Sequence, residues 1–111
     1  MTTRWARTLR VLERAEKEGR DFLLEPEVYA VLREAGVPTP RHVLAGPDGR
    51  VPRARLAALG SPKVVVKIVS PRVIHKSDVG GVAVCEASPA AVRKTCETMS
   101  RTVAARTPAA D

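Results

Sequence analysis

Three groups of residues between positions 63 and 84 have types and spacings that could do chemistry. In the run KVVVKIV, residues 63–69, Lys67 sits among Val and Ile, and an ammonium is costly to bury there unless an anion meets it. Lys63 and Lys67 are four apart and so face the same side of a regular strand; the plainer alternative is a lysine that reaches solvent from a strand end. The second group is His75 beside Lys76, with Asp78 three residues on. A neutral imidazole can accept a phosphoryl group near pH 7 through its free nitrogen lone pair. A carboxylate such as that of Asp78 could hold the other ring nitrogen, while Arg72 and Lys76 could screen phosphate charge. An ordinary surface-loop histidine is the competing reading. The third group is Gly80-Gly81, where the missing side chains let backbone amides approach a phosphate or simply make a turn. Neither the G-x-x-x-x-G-K-[ST] nor the G-x-G-x-x-G spacing is present.

The elements that must position these groups follow from periodicity and punctuation. Residues 4–18 read as a helix, with Trp5, Leu9, Leu12 and Ala15 on one stripe and Gly19 as the stop. A second helix is expected over 26–35, opened by Pro26 and closed by Gly36, with Pro38 and Pro40 forcing an extended stretch. Residues 41–45 are expected as a short strand, 46–49 (GPDG) as a turn, and 52–59 as a short helix. The β-branched run 63–69 is the clearest strand, of the kind buried on both faces. Residues 70–81 read as a polar loop and 82–86 as a returning strand. Ser88 as N-cap with Pro89 at the first turn opens a helix to about residue 104. Helices alternating with strands make this a mixed α/β layer, and the 111-residue length suits one core with no second folding unit.

Composition excludes more than it selects. The net charge of +7 favours polyanionic partners, yet the arginines are scattered and interleaved with acids. One Trp, one Tyr and one Phe are too few for a base-stacking platform, so nucleic acid is an unlikely partner. Cys85 and Cys96 have no C-x-x-C spacing and read as a reduced cytoplasmic pair. The charged N-terminus lacks a signal peptide's apolar stretch, and no apolar run approaches the ~20 residues of a membrane span.

The three groups together resemble the NDP-forming acyl-CoA synthetases, including the ADP-forming acetate–CoA ligases, in the N-terminal part of their beta-subunit ATP-grasp domain. The resemblance is carried by Leu23-Leu24-Glu25-Pro26-Glu27, by Glu34-Ala35-Gly36-Val37-Pro38-Thr39-Pro40, by Val65-Val66-Lys67-Ile68-Val69-Ser70-Pro71 and by Ile74-His75-Lys76-Ser77-Asp78-Val79-Gly80-Gly81-Val82. It implies the N-terminal lobe of an ATP-grasp domain, a mixed sheet with packed helices, with residues 1–22 as a leading helix and 23–111 as the partial subdomain. It implies that Lys67 contacts nucleotide phosphates and that His75 is the catalytic histidine relaying a phosphoryl group. Ser70, Lys76, Ser77, Asp78, Gly80 and Gly81 would line the nucleotide and phosphate path. The implied reaction interconverts acyl-CoA, ADP and phosphate with acid, CoA and ATP. Its cofactors are ATP or ADP and Mg2+, and CoA is met only through partner domains.

The second lobe and its magnesium-holding carboxylates are expected outside these residues. Asp78 is the only acid close to the motif, so no metal ligand is assigned and the chain alone is expected not to turn over. The implied partners are an alpha subunit or CoA-binding and ligase domains, with self-association through apolar surface as a further expectation. Two other readings stay open: a noncatalytic regulatory or interaction module of the same descent, as in acetyltransferase fusions, and a small basic nucleic-acid binder.

Overall fold

A computed structural model describes residues 5–73 and 76–107, and of Ser77 the backbone alone. The residues group into two compact units, Met1–Pro40 and Arg41–Asp111, where length had suggested one core.

The first unit is a pair of helices, α1 (Ala6–Lys17) and α2 (Glu25–Glu34). Ala15 is buried, whereas Trp5, Leu9 and Leu12 of the expected stripe remain exposed. Two acids close the pair. Glu27, in the first turn of α2, accepts from the backbone N–H of Leu24 at 2.7 Å, the half of a capping box that leucine cannot reciprocate. The same carboxylate is gripped by both terminal nitrogens of Arg20, at 2.8 and 3.0 Å. Arg20 also reaches the carbonyl of Phe22 and the carboxylate of Glu18, each at 3.0 Å. One guanidinium thereby ties together the end of α1, the connection and the start of α2.

The second unit holds α3 (Arg53–Ala57), β1 (Lys63–Lys67), a 3-10 turn (Lys76–Val79), β2 (Val82–Glu86) and α4 (Pro89–Arg106). β1 and β2 form an antiparallel pair running from Lys63 opposite Glu86 to Lys67 opposite Val82. The sheet among the described residues is this antiparallel pair, packed with helices in a mixed α/β arrangement. Residues 41–45 join no strand ladder there; Val43 and Ala45 pack instead on the core. Ser88 caps α4 as its sequence position implies, its Oγ accepting from Ala91 N at 3.2 Å.

The core is two apolar clusters lying along α4. Val51, Leu56 and Val92 form one, joined by Val64, Cys85 and Cys96. Val73, Met99 and Val103 form the other, joined by Val66, Ile68, Val79 and Ala83. The inner face of the hairpin thus packs on α4, while Lys63, Val65 and Lys67 on β1 and Val82, Val84 and Glu86 on β2 are exposed. The nearly continuous β-branched run 63–69 suggested a strand covered on both faces; the observed pair alternates, with Val65 54% and Val84 64% exposed.

Candidate functional site

The chemistry-bearing residues gather at one end of the β1–β2 pair. Lys67 is the last residue of β1 and lies opposite Val82, on the same exposed face as Val65 and Lys63. Immediately beyond it, the N–H of Ile68 donates to the carbonyl of Gly81 at 2.8 Å, and the N–H of Gly81 donates to the carbonyl of Lys76 at 2.7 Å. These two bonds fold the loop back against the strand end, so Lys67, Lys76, Gly80 and Gly81 share one corner.

The two glycines of that corner serve different needs. Gly80 adopts φ +76°, a conformation that disfavours side chains, and a Cβ there would stand 2.8 Å from Thr102 Cγ2 and 3.8 Å from a terminal nitrogen of Arg106. Gly81 is buried, and its Cβ would come within 2.5 Å of Ile68 Cγ2. Because the Gly81 amide already bonds to Lys76, its role in the corner is close packing and not the aiming of that amide at a phosphate.

Ser70 opens the loop with a local turn, its Oγ accepting from Arg72 N at 3.2 Å and its carbonyl from Val73 N at 3.2 Å. Asp78 stands exposed in the 3-10 turn, and Arg72 is exposed as well. Ser77 lies in the same turn by its backbone. His75, the expected relay histidine, lies outside the described residues. Among the described residues no group of three or more His, Cys, Asp or Glu side chains could hold a metal ion. Sequence reasoning missed Thr102 and Arg106, which α4 brings against Gly80 from the far end of the chain.

Two thiols complete the chemical inventory. Cys85 and Cys96 flank the same apolar cluster, and burial, with a smaller contribution from the neighbouring Cys85, pushes the Cys96 thiol above its ordinary pKa. A protonated thiol is a poor nucleophile, so Cys96 is a packing residue.

With this geometry in hand, comparison with known sequences is decisive. The family model for the ATP-grasp domain matches residues 14–111. The chain belongs to the ATP-grasp family. This ATP-grasp chain is similar to a 4-hydroxybutyrate–CoA ligase (ADP-forming) of Nitrosopumilus maritimus, 38% identical over 94 residues covering 85% of the chain and 13% of that protein. It is also similar to the beta subunits of two ADP-forming acetate–CoA ligases of Pyrococcus furiosus. Subunit beta of ligase I is 40% identical over 81 residues, 73% of this chain and 34% of the subunit. Subunit beta of ligase II is 33% identical over 90 residues, 80% of this chain and 37% of the subunit. The chain therefore spans between 13% and 37% of the length of these relatives. No solved structure matches the ATP-grasp chain. None of its helices, among the described residues, is long and apolar enough to cross a membrane.

Proposed function

We propose that this ATP-grasp chain supplies a nucleotide-holding surface in an ADP-forming acyl-CoA synthetase. The observation that carries the reading is the exposed face of the β1–β2 pair, where Lys67 ends a patch made by Val65, Val82 and Val84. A nucleotide asks for two things side by side: an apolar floor for its base and a cation for its phosphates. Val65, Val82 and Val84 offer the first, and Lys67 offers the second, with Lys76 at the adjoining corner. Phosphoryl transfer is mainly positioning and charge neutralisation, which suits a rigid strand end followed by a loop folded tightly by glycine.

In this reading His75, next to Lys76, is the residue that takes and returns the phosphoryl group, and Ser70, Ser77, Asp78 and the Gly80–Gly81 corner shape the path to it. The nucleotide is ATP or ADP. Among the described residues no group of three or more His, Cys, Asp or Glu side chains could hold a metal ion, so Mg2+ is assigned to residues elsewhere in a complete enzyme. The subdomain proposed for this role comprises residues 23–111. Its partners are an alpha subunit or CoA-binding and ligase domains, as the names of the Pyrococcus furiosus relatives suggest, and its setting is the cytoplasm.

The experiment is calorimetric titration of the purified chain with Mg-ADP, beside Lys67→Ala. Loss of one charge-assisted phosphate contact predicts weakening of about ten-fold, with the fold retained because Lys67 is exposed. Equal affinity of the two proteins would remove Lys67 from the site. In a complex reconstituted with an alpha subunit, His75→Asn is expected to abolish acid-labile phosphate on this chain. A wild-type complex that never carries such phosphate would favour a noncatalytic module of the same descent.

A further inference from the structure

We propose that Arg106 is a phosphate-facing cation of the nucleotide corner, contributed by the far end of α4. The inference deepens the nucleotide-holding reading and rests on it.

The inward stripe of α4 runs through Val92, Cys96, Met99 and Val103. Steps of four, three and four residues keep these on one side of a helix, and a further step of three arrives at Arg106. The stripe that buries apolar side chains for about three turns thus ends in an exposed guanidinium. Beyond Val103 the helix has passed the hairpin's inner face and meets the loop corner instead, and there a terminal nitrogen of Arg106 stands 3.8 Å from where a Gly80 Cβ would be. Thr102, one turn earlier, closes on the same glycine at 2.8 Å from that position. A side chain at position 80 would therefore press on Thr102, while the Arg106 guanidinium lies at ordinary contact distance from that position, at the edge of the corner.

Charge supports the assignment. Asp78 is the one carboxylate of the 3-10 turn, and Lys76 in the same turn balances it, so Arg106 leaves the corner net positive. Among the described residues Arg106 makes no ion pair that would consume its charge. The planar guanidinium suits the bidentate recognition of phosphate oxygens better than a further lysine would.

A cation in the last turn of a helix also interacts favourably with the helix dipole, and a purely structural Arg106 would do only that. The two roles part in their ligand dependence. Arg106→Gln and Arg106→Lys are prepared in the full chain, with Arg101→Gln, five residues earlier and exposed, as the control. Each is titrated with Mg-ADP and with adenosine. Arg106→Gln is expected to weaken Mg-ADP binding by at least about five-fold while leaving adenosine binding unchanged, and Arg106→Lys to recover part of the loss. Equal Mg-ADP affinity for Arg106→Gln and wild type, with Lys67→Ala impaired, would overturn the role of Arg106 and leave the nucleotide site standing. A parallel loss of ADP and adenosine binding would assign Arg106 to structure and also overturn it. Failure of the wild-type chain to bind Mg-ADP at all would take down both readings together.

Discussion

Thr8 donates its backbone N–H to Oε1 of Glu34 at 2.8 Å, across 26 residues of sequence. Arg7 donates its own N–H to Oε2 of the same carboxylate at 3.1 Å. Helix α1 begins after Trp5, which has no side-chain acceptor and makes no cap. Its first amides would otherwise be orphaned, and the last residue of α2 supplies the missing cap from a distance. The negative charge also meets the positive end of the α1 dipole.

The first prediction concerns pH. The Thr8 N–H, with the N–H of Arg7 beside it, holds the Glu34 carboxyl below its ordinary value. A carboxylate depressed in the folded state stabilises fully above its unfolded pKa of about 4.3 and loses that contribution as pH falls through the folded value. The helix pair is therefore expected to keep its cap at neutral pH and to loosen only in acid, below the unfolded carboxyl value. A carbon-detected NMR titration of Glu34 checks this, and a midpoint at or above the unperturbed value would refute the cap. Glu34→Gln keeps one acceptor oxygen and loses the charge, so amide exchange at Arg7 and Thr8 should accelerate, and more so in Glu34→Ala.

A second prediction follows from Arg20, whose side chain is 5% exposed although the residue lies in a connection. Its pKa is pushed up, chiefly by the Glu27 carboxylate and then by Glu18, and Glu27 and Glu18 are each held down in return, with Arg20 the largest cause for both. Lysine carries the charge but cannot grip Glu27 with two nitrogens while reaching Phe22 and Glu18. Arg20→Lys is thus expected to open the 18–27 connection to limited proteolysis, and Glu27→Gln to do the same. Unchanged cleavage in both would show that the clamp does not hold the connection.

The difference between what the sequence disclosed and what it hid has a physical basis in these residues. Helix α4 was legible because Ser88 and Pro89 mark its start by local chemistry, and β2 because glycines and a serine bound it. Glu34 and Arg20 were not legible, since their partners lie many residues away or in a connection, and nothing local distinguishes them from solvated charges. The open face of β1 was misjudged for a related reason. A nearly continuous run of Val and Ile says what could be buried, whereas burial depends on what packs there, and α4 covers one face only. At the candidate corner, Lys67, Lys76 and the two glycines were visible as a motif. Arg106 was visible only as the next step of the α4 stripe, a signal easily read as the frayed end of a helix.

Core packing gives a third prediction. Leu56, 3% exposed, is the most buried residue of its cluster and comes from the five-residue α3, a helix too short to persist without tertiary support. Leu56→Ala is expected to cost about 2–5 kcal/mol and to release α3 before β1, β2 and α4. Urea denaturation together with amide exchange over residues 53–59 measures both. A loss well under 1 kcal/mol would mean that α3 is not anchored through this side chain.

The last prediction tests the close approach on which the corner depends. Gly81 needs no unusual φ; its constraint is steric, with a Cβ falling 2.5 Å from Ile68 Cγ2 and 3.1 Å from the Lys76 carbonyl oxygen. Gly81→Ala must therefore push Ile68 outward, stretching the Ile68–Gly81 and Gly81–Lys76 backbone bonds that close the loop. Ile68→Ala removes the offending Cγ2 at the expense of apolar contacts in the second cluster. If the approach is real, Gly81→Ala should destabilise wild type strongly and the Ile68→Ala background much less, with a coupling of about 1 kcal/mol or more. The same double-mutant cycle, read by Mg-ADP affinity, asks whether the corner must be tight to hold phosphate. Strict additivity in stability would mean that Ile68 and Gly81 do not press on one another, and the loop would then be held closed by its two backbone hydrogen bonds alone.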